Sequence, residues 1–147
     1  MKPTNAYRIC SLAACLLSLP LATQAYTPVS TTLPAVHDDP SLVGRTVRVD
    51  ACMALPLSAN PHREDDLVVL YPCGQTVTDG VPEHAIVGRI TSDRVVKPFK
   101  DAGIEFTGEV SATFTGPLTK VDAGDGESDA YFVLAIESVS GPSERHR

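Results

Sequence analysis

Cys52, His62, Cys73 and His84 recur at intervals of ten or eleven residues, and cysteine and histidine are the side chains zinc prefers. Structural zinc sites bring their ligands in close pairs such as C-x2-4-C, and neither Cys52 nor Cys73 has such a partner, Cys10 and Cys15 falling in the leading segment. In an oxidising compartment the same two cysteines form a single disulfide. A Cys52–Cys73 disulfide is therefore expected, with no metal. Asp122, Asp125, Glu127 and Asp129 surround Gly124 and Gly126 and suggest calcium. Their spacing is not that of an EF-hand loop, so a dedicated calcium site is not expected. Catalysis has little support. The chain contains no G-x-S-x-G and no H-E-x-x-H, and the disulfide leaves no free thiol nucleophile. Glu105 and Glu109 share one strand face about 13 Å apart, beyond the ~5–9.5 Å of paired glycosidase carboxylates. His37 and His146 fall in segments read as an arm and a tail, and His62 and His84 lie in or beside loops. The expectation is a non-enzymatic protein without a cofactor.

The compartment follows from the start of the chain. Lys2 and Arg8 precede an uncharged, mostly apolar run over residues 9–22, broken near its end by Pro20 and followed by Thr23, Gln24 and Ala25. That order is a cleavable secretory signal over residues 1–25. The run is shorter than the ~20 residues needed to span a bilayer, so no stable membrane insertion is expected after cleavage. Leu12, Ala13, Ala14 and Cys15 also resemble a lipobox, which would make Cys15 a lipidated terminus. Cleavage there would leave residues 9–14 as an apolar region below the usual ~7–15 residues, so unlipidated export to the periplasm or beyond ranks first.

Removing residues 1–25 leaves 122 residues, ten basic side chains against eighteen acidic ones and a formal net charge of −8. An acidic surface repels phosphate backbones and argues against a nucleic-acid partner. There is no tryptophan, so the core must rest on Val, Leu, Ile and a few Phe.

Residues 26–41 contain three prolines and many Ser and Thr and read as an extended arm. Residues 46–53 alternate, with Val47, Val49, Ala51 and Met53 on one face. Residues 56–66 form a turn-rich loop, residues 67–71 a second strand that pairs antiparallel with the first, and residues 85–90 a third strand. Gly88 implies a bulge or a close backbone approach. Ser92 and Asp93 offer N-cap chemistry for one or two helical turns before Pro98. Residues 104–114 alternate without interruption, residues 116–129 read as a loop, and residues 131–139 form the last strand. Residues 141–147 read as a fraying tail.

The order is three strands, a short helical turn and two strands. With Gly44, Arg45, Thr46, Val47, Arg48 and Val49 in one half, and Gly108, Glu109 and Val110 with residues 132–136 in the other, residues 42–140 resemble an OB-fold. The resemblance implies a mostly β, five-stranded barrel, with a small β-sandwich as the alternative. Pairing of the first strand with the fourth distinguishes the barrel.

OB-folds bind through the face of strands two and three and through two loops. Carried onto this chain, the loops are residues 56–66 and 115–130. The first holds His62, Arg63, Glu64, Asp65 and Asp66, one fixed cation against three carboxylates. The second holds Lys120, Asp122, Asp125, Glu127 and Asp129, one cation against four. The resemblance thus implies an acidic rim, with His62, Arg63, Asp65, Asp66, Asp122, Asp125 and Asp129 as binding residues and a basic protein as partner. Inhibitor, immunity and envelope-assembly roles fit this class. The alternative is a periplasmic binder of a small ligand or oligosaccharide on the face around residues 67–71. N-terminal sequencing of the exported protein is expected to begin at Tyr26, and a start at Cys15 would establish the lipoprotein instead.

Overall fold

The computed structural model describes residues 26–54, 67–75, 80–104, 109–122 and 130–145. Its elements in chain order are β1 (Val29–Thr31), α1 (Leu33–Asp38), a 3-10 turn (Pro40–Leu42), β2 (Thr46–Ala54), β3 (Leu67–Tyr71), β4 (Ile86–Ile90), α2 (Asp93–Asp101), β5 (Glu109–Val121), β6 (Tyr131–Ile136) and β7 (Ser138–Arg145).

The alternation in β2 is the starting point. Val47, Val49, Ala51 and Met53 are all buried, while Arg48 and Asp50 face out. One edge of β2 pairs antiparallel with β5 along its whole length, from Thr46 opposite Pro117 to Ala54 opposite Glu109. Its other edge is shared, with β1 parallel at positions 47–49 and β3 antiparallel at positions 52–54. β3 continues into β4, β4 pairs parallel with β6, and β6 returns to β5. The ring β2-β3-β4-β6-β5 closes on itself, and β7 adds to the remaining edge of β5. This is a mostly β, OB-fold-like, closed five-stranded barrel. The pairing of the first core strand with the fourth separates it from a sandwich.

Both helices contribute to the core. α2 turns Val95, Val96 and Phe99 inward. At nine residues it is slightly longer than the one or two turns expected. Pro98 sits inside it and forgoes only the bond its missing N–H would give to Arg94. Ser92 occupies the N-cap position but its side chain makes no capping bond, unlike the sequence reading.

Four sequence readings need correction. Residues 26–41 are not an extended arm. Val29–Thr31 pairs with β2, and α1 buries Leu33 and Val36. The prolines that suggested an arm mark element starts. Pro34 lies in the first turn of α1, where a missing N–H costs nothing, and the Ala35 N–H is capped by Thr32 Oγ1 at 3.3 Å. Pro40 opens the 3-10 turn, capped when the Ser41 N–H donates to Asp39 Oδ1 at 2.9 Å. The side-chain and backbone hydrogen bonds from Ser41 hold the Asp39 carboxyl below its usual range.

The fourth core strand, described over Glu109–Val121, runs past residue 114, so residues 116–121 are strand and not loop, while residues 105–108 of the expected strand lie outside the described residues. Ile104 is buried just after α2, its N–H bonded to the Phe99 carbonyl at 3.1 Å. The last apolar run divides at Glu137 into β6 and β7. The tail is β7 as far as Arg145, held by backbone pairing that its polar sequence does not advertise.

Two glycines are required by close approach. A Cβ on Gly116 would lie 1.8 Å from the Ala135 carbonyl oxygen, where β5 passes from β7 to β6. A Cβ on Gly88, inside the barrel, would lie 2.8 Å from Val68 Cγ2 and 2.9 Å from Ile136 Cδ1. The close backbone approach expected at Gly88 is corrected: its near neighbours are side chains. Backbone cannot yield as side chains can, so Gly116→Ala is expected to destabilise by about 3 kcal/mol or more, and Gly88→Ala by roughly 1–3 kcal/mol, in urea unfolding. Equal midpoints for wild type and Gly116→Ala would contradict the close approach.

Candidate functional site

Strand parity turns two rows of side chains outward on β3, β4 and β6, of which Val133 is itself buried. Val69 is opposite Val87, which is opposite Val133. Leu67 is opposite Arg89, which is opposite Ala135. Leu67 is 59% exposed and Val69 39% exposed. Tyr131, two residues before Val133 and so on the same face, is 44% exposed. Most strands of a barrel alternate apolar inside with polar outside. β3 does not, because Leu67 and Val69 are apolar on the solvent side while Val68 and Leu70 fill the interior. The result is an aliphatic surface with one cation, Arg89, beside it.

The two acidic segments attach at opposite corners of this surface. Residues 55–66 join Ala54 to Leu67, and residues 123–129 join Asp122 to Ala130, just before Tyr131. The level of Leu67 and Arg89 meets β6 at Ala135, four residues or about 13 Å along the strand from Tyr131. Among the predicted binding residues, Asp122 is described and is exposed at the end of β5, next to Val121, the partner of Tyr131. His62, Arg63, Asp65, Asp66, Asp125 and Asp129 lie outside the described residues, as do Glu105, His146 and the signal segment.

Cys52 and Cys73 are joined in a disulfide, with Cα atoms 4.9 Å apart. This excludes the zinc set of Cys52, His62, Cys73 and His84, because both sulfurs are bonded to each other. The bridge ties β2 to the residues just after β3, where Cys52 is already opposite Tyr71. Parity turns Cys52 and Tyr71 outward, yet both are buried, and neither belongs to the main core cluster. Arg145 reaches this region from β7. Its Nη1 lies 3.9 Å from Cys52 Sγ and 3.6 Å from Glu109 Oε1. Glu109, considered as half of a carboxylate pair, is instead the partner of an arginine.

A third cluster lies outside the residues that the sequence reading singled out together. His37, on α1, packs edge-on against Phe132 of β6, with ring centroids 5.0 Å apart. The His84 ring is 5.5 Å from His37. Glu83 Oε1 lies 3.5 Å from His84 Nε2, and Lys120 Nζ lies over the Phe132 ring at 5.9 Å from its centroid. The cluster was hidden because residues 26–41 read as an arm, which left His37 without a position. The detectable signal was Thr32 as a cap directly before Leu33, with Pro34 in the first turn ahead of Val36. The His84–Glu83 pair is open to solvent, with side chains 34% and 81% exposed.

Among the described residues, no group of three or more His, Cys, Asp or Glu side chains is placed to hold a metal, and no helix is long and apolar enough to cross a membrane. The chain matches no protein-family model and no curated protein.

The disulfide closes a loop with a sequence separation of 21 residues. Chain entropy gives such a bridge about 3 kcal/mol. Reduction is therefore expected to lower Tm by about 10 °C in differential scanning calorimetry. An unchanged Tm would show that the bridge contributes nothing to stability.

Proposed function

We propose that this protein is an exported, non-enzymatic binding module that engages a basic protein through the outer surface of β3, β4 and β6. The observation that carries this reading is the aliphatic surface of Leu67, Val69 and Val87, left open between the attachment points of two acidic segments. An apolar centre inside a polar rim is the anatomy of a protein interface. Asp65 and Asp66 belong in sequence to one of these segments, and Asp122, Asp125 and Asp129 to the other or its start; this acidic composition favours a basic partner and steers its approach. The disulfide supports a non-cytoplasmic location. With the signal read from residues 1–25, the proposed location is the periplasm or the cell exterior. Nucleic acid fits this surface poorly because the rim repels phosphate.

The alternative, an oligosaccharide binder on the same strands, needs aromatic side chains to stack on sugar rings. Tyr71 is buried, which leaves Tyr131 as the exposed aromatic of that surface. The aliphatic character of Leu67 and Val69 favours a protein partner.

The test is capture from an envelope extract on immobilised, oxidised protein, with two variants as parallel baits. The wild type is expected to retain one basic protein that elutes with salt. Charge reversal of Asp65, Asp66, Asp125 and Asp129 to Lys is expected to abolish retention, and Leu67→Ser with Val69→Ser to weaken it at least tenfold. Retention unaffected by the charge reversal, or no retention by the folded wild type, would overturn the proposal.

A further inference from the structure

His37 and His84 come from segments far apart in the chain, α1 and the turn before β4, and meet at one end of the barrel. Their ring centroids are 5.5 Å apart and the rings are inclined at 63°. Two imidazoles sharing one ion through metal–nitrogen bonds of about 2.1 Å hold their centroids about 5 Å apart at a tetrahedral angle. The observed separation therefore lies close to that of a two-histidine chelate. We propose that His37 and His84 bind one late first-row divalent transition-metal ion, with Cu2+ the tightest of the series.

Three features support the site. His84 has φ of +60°, in the left-handed region that non-glycine residues rarely occupy, and this conformation accompanies its placement beside His37. Glu83 Oε1 lies 3.5 Å from His84 Nε2 and brings a carboxylate beside the imidazole. Such a carboxylate–histidine pairing orients and strengthens a metal-bound imidazole. Both histidines are reached by solvent, so the ion has an entry path. Lys120, a cation at this end of the barrel, lies over the Phe132 ring.

The described residues supply no third protein ligand, so water completes the coordination. That selects the ion. Imidazole suits Cu2+, Ni2+ and Zn2+, whereas Ca2+ and Mg2+ require oxygen ligands. Affinity in this series peaks at Cu2+. His37 and His84 belong neither to the proposed protein-binding surface nor to the disulfide. Because its ligands are brought together by folding, an ion held there stabilises the folded state over the unfolded one.

The experiment is a Cu2+ titration of the untagged, metal-free protein, followed by electron paramagnetic resonance and by Tm. One Cu2+ with two imidazole nitrogens and a raised Tm is expected. His37→Phe keeps a ring against Phe132 and removes the ligand. His84→Asn keeps a residue that tolerates positive φ and removes the ligand. Each variant is expected to lose the two-imidazole spectrum and the Tm rise, while His62→Ala and His146→Ala retain both. A two-imidazole spectrum that survives His37→Phe or His84→Asn would overturn the proposal. So would its loss in His62→Ala or His146→Ala, or a wild type that shows neither the spectrum nor the Tm rise.

Discussion

The antiparallel pairing of β2 with β5 over nine positions turns an open sheet into a ring, and the other surfaces of the molecule depend on that closure. With the ring closed, Val47, Val49, Ala51 and Met53 of β2 face Val110, Ala112 and Phe114 of β5 in a common interior. Closure also removes the free edges that the five core strands would otherwise expose. Its geometric requirement falls on Gly116. There β5 leaves β7 for β6, and the Ala135 carbonyl passes close enough to leave no room for a side chain.

Each end of the ring is occupied differently. α2 buries three apolar side chains, and α1 buries Leu33 and Val36. Because α1 packs into the core, His37 acquires a fixed position beside Phe132 and His84. A segment read as a linker thus supports the most concentrated group of ring contacts among the described residues. The outer wall is also uneven. The disulfide region covers Cys52 and Tyr71, while Leu67 and Val69 on the same strand face remain in solvent. Burial on both sides of β3 near the bridge, and on one side away from it, sets the boundary of the open aliphatic surface.

Much of the barrel was legible in the sequence. Period-two alternation in β2 and in the part of β5 read as 104–114 identified strands and their inward faces, because side-chain direction along a strand is local geometry. The Cys52–Cys73 bridge was expected because Cys52 and Cys73 are the two cysteines beyond the segment read as a signal. The candidate site was less legible. The acidic segments are visible as composition, but the patch beside them needs β4 and β6 to be adjacent. Residues 86–90 and 131–136 are paired by a parallel register that no local pattern announces.

The sequence by itself determined the β class, the inward faces of the main strands, the charge balance and, for the residues beyond position 25, the single possible disulfide. These depend on residue type and on neighbours one or two positions away. The tertiary structure alone decided the length of β5, the existence of β7, the helix in residues 33–38 and the meeting of His37 with His84. β7 is almost entirely polar and has no apolar period. Its strand state comes from backbone bonds to β5, formed between residues more than twenty positions apart. α1 is too short to show a helical period, and it is stabilised where its two apolar residues find the barrel end. Such elements are selected by long-range pairing and burial, so their signal lies in the assembled ring.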